Sequence, residues 1–165
     1  MMATMITMSH DYDAPARELW RIATDWNCLR RAVGKMVTFG PLPDEPMHKG
    51  QVIRTTVSLF GVLPAFAYTL RIREFDATAM HLETSESGGG IDRWEHTIDV
   101  EPRDHGSRLS DNLVISAGWM TSATALWARI MLSRRHRPRL AMLSESQEAS
   151  KPADGPFIAC MTDKS

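Results

Sequence analysis

The sequence predicts a single α+β domain: one strand, two short helices, five or six further strands and a long C-terminal helix. Segments between residues 51 and 116 alternate apolar and polar side chains, a period typical of half-buried strands. The links between them are short, which indicates an antiparallel meander. After Gly118 the apolar residues recur at helical spacing instead, so the chain ends in a helix.

The N-terminal elements are predicted by their boundaries. Residues 4–12 alternate and form the first strand. Pro15 opens a helix, because proline is tolerated in the first helical turn. Asp25 is a good cap for a second short helix, and Gly34 is its terminator.

The strands that follow are separated by the turn-forming stretches PLPDEPMHKG, SGGG and PRDHGS. Their predicted ranges are 35–40, 51–60, 66–75, 78–86, 93–100 and 108–116. In the last two strands a titratable side chain stands in an otherwise apolar row. His96 shares its face with Trp94 and Ile98, and Asp111 shares its face with Leu109 and Leu113.

The C-terminal region predicts one long helix and a tail. An apolar stripe defines the helix, and its members are Ala123, Leu126, Trp127, Ile130 and Met131. Pro138 kinks or stops this helix, because it removes one backbone hydrogen bond and crowds the preceding turn. The domain therefore covers residues 1–145, and the polar, breaker-rich residues 146–165 are expected to be disordered.

The composition excludes several classes of protein. The chain has 165 residues, of which 43% are apolar and 24% charged, and its net charge of -1 gives no case for nucleic-acid binding. It has no apolar run long enough for a membrane span and no signal peptide, so a cytoplasmic location is expected. The histidines lack metal-ligand spacing, and SGGG precedes a strand rather than a helix. We expect neither a metal nor a cofactor.

The order of these elements is similar to the helix-grip fold of the START-like superfamily, also called SRPBCC. That superfamily includes the birch-pollen allergen group, lipid-transfer START domains and aromatic polyketide cyclases. The matching motifs are Ala14-Pro15 before Leu19-Trp20, Thr24-Asp25, Trp94-x-His96 and Gly106-Ser107-Arg108-Leu109-x-Asp111. The resemblance covers roughly residues 4–143. It implies a curved sheet of six or seven strands around the C-terminal helix, with a cavity between them for an apolar or aromatic molecule.

His96 and Asp111 are the first candidate site residues. An inward imidazole could exchange protons or hydrogen-bond a ligand, although it could also simply bond a neighbouring strand. An ionised carboxylate in an apolar row needs a partner. A turn centred on Asp104-His105 puts Asp111 diagonal to His96, about 7 Å away. A turn centred on His105-Gly106 separates them by about 13 Å, and the sequence does not choose between the two.

Other inward side chains complete the predicted ligand-binding set. Tyr68, Thr55 and Thr84 would orient a ligand, or else satisfy one another. Trp94, Trp127 and Ile130 would form the apolar walls. Tyr68 joins His96 and Asp111 as a candidate catalytic group.

Five arginines near the end of the helix suggest a different site. They are Arg129, Arg134, Arg135, Arg137 and Arg139, with no acid among them. They form either a solvated helix end or a surface for an acidic partner or a second copy of the chain.

Three functions remain open from the sequence. The first is binding of a small hydrophobic or aromatic metabolite or lipid in the cavity. The second is an enzyme similar to polyketide cyclases and aromatases, in which His96, Asp111 and Tyr68 supply protons or polarise a carbonyl. The third is an interaction module that uses the arginine-rich helix end.

Overall fold

A curved antiparallel sheet of seven strands surrounds the C-terminal helices in the computed structural model, which describes residues 3–150. The strand order is β1-β7-β6-β5-β4-β3-β2, so β2 to β7 form the predicted meander and β1 closes on β7. The bounds are β1 Thr4–Tyr12, α1 Ala16–Ala23, α2 Trp26–Val33, β2 Val37–Phe39, β3 Val52–Leu59, β4 Phe66–Asp76, β5 His81–Gly88, β6 Ile91–Arg103, β7 Gly106–Ser116, α3 Thr121–Arg134 and α4 His136–Ala149. The architecture is the α+β helix-grip fold.

The two short helices begin and end where their capping residues predict. Pro15 precedes the first turn of α1. The Asp25 side chain accepts a hydrogen bond from the backbone N–H of Cys28 at 2.8 Å, which satisfies one free donor at the start of α2. Gly34 ends α2 with a φ of 55°, a conformation that glycine adopts at little cost.

The sheet bends around the helices with the help of two irregularities in its ladder. The register shifts between Ile72 and Glu74 on β4 and between Glu86 and Gly88 on β5. Such bulges increase the local twist and bend the strand. The helix α3 packs against β1 and β7, whereas α4 packs against α1 and α2.

The C-terminal helix is interrupted before Pro138. The helix α3 ends at Arg134 and α4 begins at His136, so the chain forms two consecutive helices rather than one. Proline has no N–H to offer the carbonyl of Arg134, four residues earlier, and its ring crowds that turn. Regular bonding resumes where the N–H of Arg139 donates to the carbonyl of Arg135 at 3.2 Å. Both of these arginine side chains are buried.

The predicted face of α3 is wrong in part. The residues that α3 buries are Thr121, Ala125, Ala128, Met131 and Leu132. Leu126 is 61% exposed and Ile130 is 41% exposed, so neither belongs to the buried stripe. Apolar side chains occur on both faces of α3, and their spacing alone therefore does not identify which face is packed.

Helix α4 continues to Ala149, past the boundary predicted at residue 145. The first residues of the predicted tail are thus helical, and residues 151–165 lie outside the described part of the chain. Among residues 3–150, no helix is both long and apolar enough to cross a membrane.

Candidate functional site

A cavity of about 260 Å³ lies between the inner face of the sheet and α3; we call it the main cavity. Most of its walls are apolar, and they include Val57, Phe66, Trp94, Trp127 and Met131. The rings of Trp94 on β6 and Trp127 on α3 are 6.0 Å apart between centroids. These two side chains therefore join the sheet wall to the helix wall, as the sequence analysis expected.

A smaller space of about 50 Å³, the inner chamber, adjoins the main cavity. The two spaces share Phe39, Glu86, His96 and Arg135 as lining residues. We refer to Glu86, His96 and Arg135 as the polar girdle, because they bring three titratable groups to the boundary between two apolar spaces. Thr84 lines only the inner chamber.

Glu86 is held by two hydroxyl groups. The Tyr68 hydroxyl donates a short hydrogen bond to Oε2, and Thr84 Oγ1 donates to Oε1 at 3.0 Å. Burial raises the pKa of Tyr68 well above its usual value, and the adjacent Glu86 carboxylate raises it further. Tyr68 therefore remains a protonated donor at neutral pH, and both carboxylate oxygens of Glu86 have partners.

His96 and Asp111 are in direct contact. The β6–β7 ladder pairs Ile98 with Asp111, which is the register that a turn centred on Asp104-His105 produces. His96 Nε2 lies 2.8 Å from Asp111 Oδ1. An ionised carboxylate only accepts hydrogen bonds, so Nε2 donates this bond, and in the corresponding neutral tautomer Nδ1 is the acceptor.

Asp111 is fully buried and does not line either space. Burial alone would raise the pKa of this carboxyl, but the Arg139 charge and the His96 hydrogen bond outweigh that effect and hold it below the usual value. Arg139 Nη1 lies 3.5 Å from Asp111 Oδ2, without hydrogen-bond geometry, so their attraction is mainly Coulombic. Asp111 thus supports His96 from behind the cavity wall.

The lowered pKa of Asp111 predicts how the stability depends on pH. Because ionised Asp111 favours the folded state, its contribution is complete above the unfolded-state pKa of about 3.9 and is lost as pH falls below it. The free energy of unfolding of the native protein should therefore exceed that of Asp111→Asn most clearly above about pH 4. Denaturant titrations from pH 7 to pH 2.5 measure this difference. A difference that stays constant across the range would contradict the prediction.

Arg135 is the unusual member of the polar girdle. Its side chain comes from the break between α3 and α4, is 7% exposed, and lines both the main cavity and the inner chamber. Among residues 3–150 it forms no ion pair, and its Nε–H has no hydrogen-bond partner. Nη2 contacts Met131 Sδ at 3.5 Å. Burial lowers the pKa of Arg135 and the nearby Arg139 charge adds to this effect, whereas the Asp111 and Glu86 carboxylates oppose it.

The predicted ligand-binding residues separate into two groups. Trp94, His96, Tyr68 and Trp127 line the main cavity, and Thr84 lines the inner chamber. Three others line neither space. These are Asp111, which lies behind His96; Thr55, whose hydroxyl is enclosed near Gly40; and Ile130, which is on the exposed face of α3.

Two residues of the polar girdle were missed. Glu86 shares the inward face of β5 with Leu82 and Thr84, so the alternation that selected Thr84 also indicated Glu86. Arg135 was instead assigned to a surface. That arginine surface is not formed, because Arg135 and Arg139 are buried whereas Arg129, Arg134 and Arg137 are exposed.

Comparisons with solved structures support the fold and no more than the fold. A Rhodobacter sphaeroides protein has a TM-score of 0.68 at 20% identity, over 86% of this chain and 93% of its own. Protein CV1439 from Chromobacterium violaceum has a TM-score of 0.67 at 15% identity, over 85% of this chain and 97% of its own. Ara h 8.0201 has a TM-score of 0.64 at 11% identity, over 85% of this chain and 99% of its own.

Sequence comparison assigns a family without an activity. No curated protein matches the chain at a significant level. A family model does match, and it spans residues 12–143, which include every strand from β2 to β7 and the polar girdle. The chain belongs to the family described as "Domain of unknown function (DUF8410)".

Proposed function

We propose that the protein binds a small apolar or aromatic molecule in the main cavity. The observation that carries this proposal is the cavity itself, a space of about 260 Å³ with largely apolar walls between the sheet and α3. Such concave apolar sites with a few polar groups are typical of small-molecule binding. The cytoplasmic location expected from the sequence would suit a carrier or sensor of a metabolite.

The volume limits the size of the molecule. A dry cavity of about 150 Å³ holds benzene, so a cavity of about 260 Å³ suits a body of about two fused rings or a short branched chain. Trp94 and Trp127 would supply flat walls for such a body. Of the polar girdle, His96 Nδ1 would accept a hydrogen bond from a ligand hydroxyl.

Uncharged 2-naphthamide is a suitable probe, and its binding is measured by isothermal titration calorimetry. Ala123 lies on α3 where it lines the main cavity and is also exposed, so Ala123→Trp adds bulk at the opening without overfilling the core. We expect this variant to weaken binding by about tenfold or more through steric exclusion. Leu126→Trp is the matched control on the same helix, because Leu126 is exposed and lies outside the cavity.

Equal affinities of the native protein and Ala123→Trp would contradict binding in the main cavity. Absence of binding by the native protein, together with native mass spectra that show no co-purified small molecule, would contradict the proposed function. Circular dichroism establishes that both tryptophan variants retain the native fold.

The His96–Asp111 pair supports a second candidate, an enzyme similar to polyketide cyclases and aromatases. An imidazole that is oriented by a buried carboxylate and faces a cavity has the arrangement of a general base, and the protonated Tyr68 lines the same cavity. A linear poly-β-carbonyl thioester is the test substrate. Cyclised product from the native protein, lost in His96→Gln with probe binding retained, would favour this function. No product above the uncatalysed level would exclude it.

A further inference from the structure

Where the main cavity meets the inner chamber, Arg135 places a positive charge without an ion pair among residues 3–150. A guanidinium that is 7% exposed is costly unless it is paired, and the described residues give it no ion pair. Asp111, the nearest fully buried carboxylate, pairs with His96 and Arg139 instead. Both oxygens of Glu86 accept hydrogen bonds from Tyr68 and Thr84. Within the described part of the chain, Arg135 therefore has no partner at ion-pair distance, and the Asp111 and Glu86 carboxylates attract it only from further away.

The position of Arg135 indicates that a ligand in the main cavity could supply an ion-pair partner. The side chain lines both spaces, and its Nε–H has no hydrogen-bond partner among the described residues. The rest of the main cavity is lined mostly by apolar side chains. A ligand with one anionic end and an apolar body would match both features, since an arginine donates two parallel hydrogen bonds to a carboxylate.

We infer that the ligand of the main cavity is an amphipathic carboxylic acid, with its carboxylate on Arg135 and its apolar or aromatic body between Trp94 and Trp127. This inference rests on the proposed function and narrows its ligand to one chemical class. The other members of the polar girdle, Glu86 and His96, would also affect the affinity for this ligand. Glu86 repels a carboxylate and so lowers its affinity, while Nδ1 of the neutral His96 tautomer would accept a hydrogen bond from a ligand hydroxyl.

The test compares 2-naphthoate with 2-naphthamide, two probes of nearly the same shape that differ in charge at neutral pH. Calorimetry should show naphthoate binding about ten- to a hundredfold more tightly, the range of a charge-assisted hydrogen bond. In Arg135→Met this preference should disappear, because the affinity for naphthoate falls to that for naphthamide. In Glu86→Gln the affinity for naphthoate should rise and that for naphthamide should not.

The outcomes separate this inference from the proposed function. Binding of both probes with equal affinity, or a preference that survives Arg135→Met, would overturn the carboxylate inference and leave the binding function intact. Binding of neither probe would overturn both. Arg135→Met also reports on folding, because removing an unpaired buried charge should leave the melting temperature of the ligand-free protein unchanged or raise it. A fall in melting temperature would show that the chain itself satisfies Arg135, contrary to the inference.

Discussion

Arg139→Met should lower the free energy of unfolding by about 3–5 kcal/mol, because it leaves the fully buried Asp111 carboxylate without its arginine. Arg139 itself is 3% exposed, so methionine occupies a similar space while the charge is lost. The hydrogen bond from His96 to Asp111 remains in this variant. Denaturant titration at pH 7, followed by tryptophan fluorescence, measures the loss.

The chain offers matched controls for this prediction. Arg137→Met removes an exposed arginine from the same helix and should change the free energy of unfolding by less than about 0.5 kcal/mol. Asp111→Leu combined with Arg139→Met removes both charges, and its cost should be clearly smaller than the sum of the two single substitutions. Additive costs would show that the two buried charges are not coupled, and the explanation would fail.

The two imidazoles of His10 and His136, near Arg139, do not replace its charge. His10 and His136 stack with ring centroids 4.7 Å apart, and Tyr12 lies against His136 at 4.9 Å. Burial lowers the pKa of His10, and the neighbouring His136 lowers it further. Burial also lowers the pKa of His136, with Arg139 as the second cause. Both imidazoles are therefore neutral near pH 7 and supply no positive charge to Asp111.

The sequence was sufficient for the fold and for part of the sheet side of the site. Alternation along β6 and β7 assigns His96 and Asp111 to the inner face, since one strand face has a period of two residues. It left two registers open, because the PRDHGS stretch permits two turns that differ by one position. Only the folded hairpin, with Arg103 paired to Gly106, selects the register in which the two side chains meet.

The helix side of the site was not predictable in the same way. Pro138 predicts a break in the helix. The sequence does not indicate, however, which faces of the helices before and after the break turn towards the sheet. The phase of the inward face was therefore wrong for Ile130 on α3. At the same break, Arg135 and Arg139 are buried. Their charge alone had suggested that both lie on the surface. Tertiary packing, rather than local pattern, decides both outcomes.

Gly106→Ala should destabilise the protein by about 2–4 kcal/mol, because Gly106 sets the turn that aligns β6 with β7. Gly106 has a φ of 99°, while neither Asp104 nor His105 has a positive φ. This is the pattern of a turn followed by a glycine that restores the ladder. A β-carbon here would lie 2.1 Å from the carbonyl oxygen of Tyr12, which belongs to the backbone of β1 and cannot move aside cheaply.

Gly50→Ala separates the two causes of that cost. Gly50 has a similar φ of 84°, but a β-carbon there meets nothing within 4 Å, so only the backbone strain of about 1–2 kcal/mol applies. Thermal and chemical unfolding of the two variants measures the difference. If the steric contact with β1 matters, Gly106→Ala must be the less stable of the two variants. Its affinity for 2-naphthoate should also fall, because the pairing of β6 with β7 that brings His96 to Asp111 becomes less well ordered. Equal stabilities would show that β1 yields to the added methyl group, and that the register of the site does not depend on this glycine.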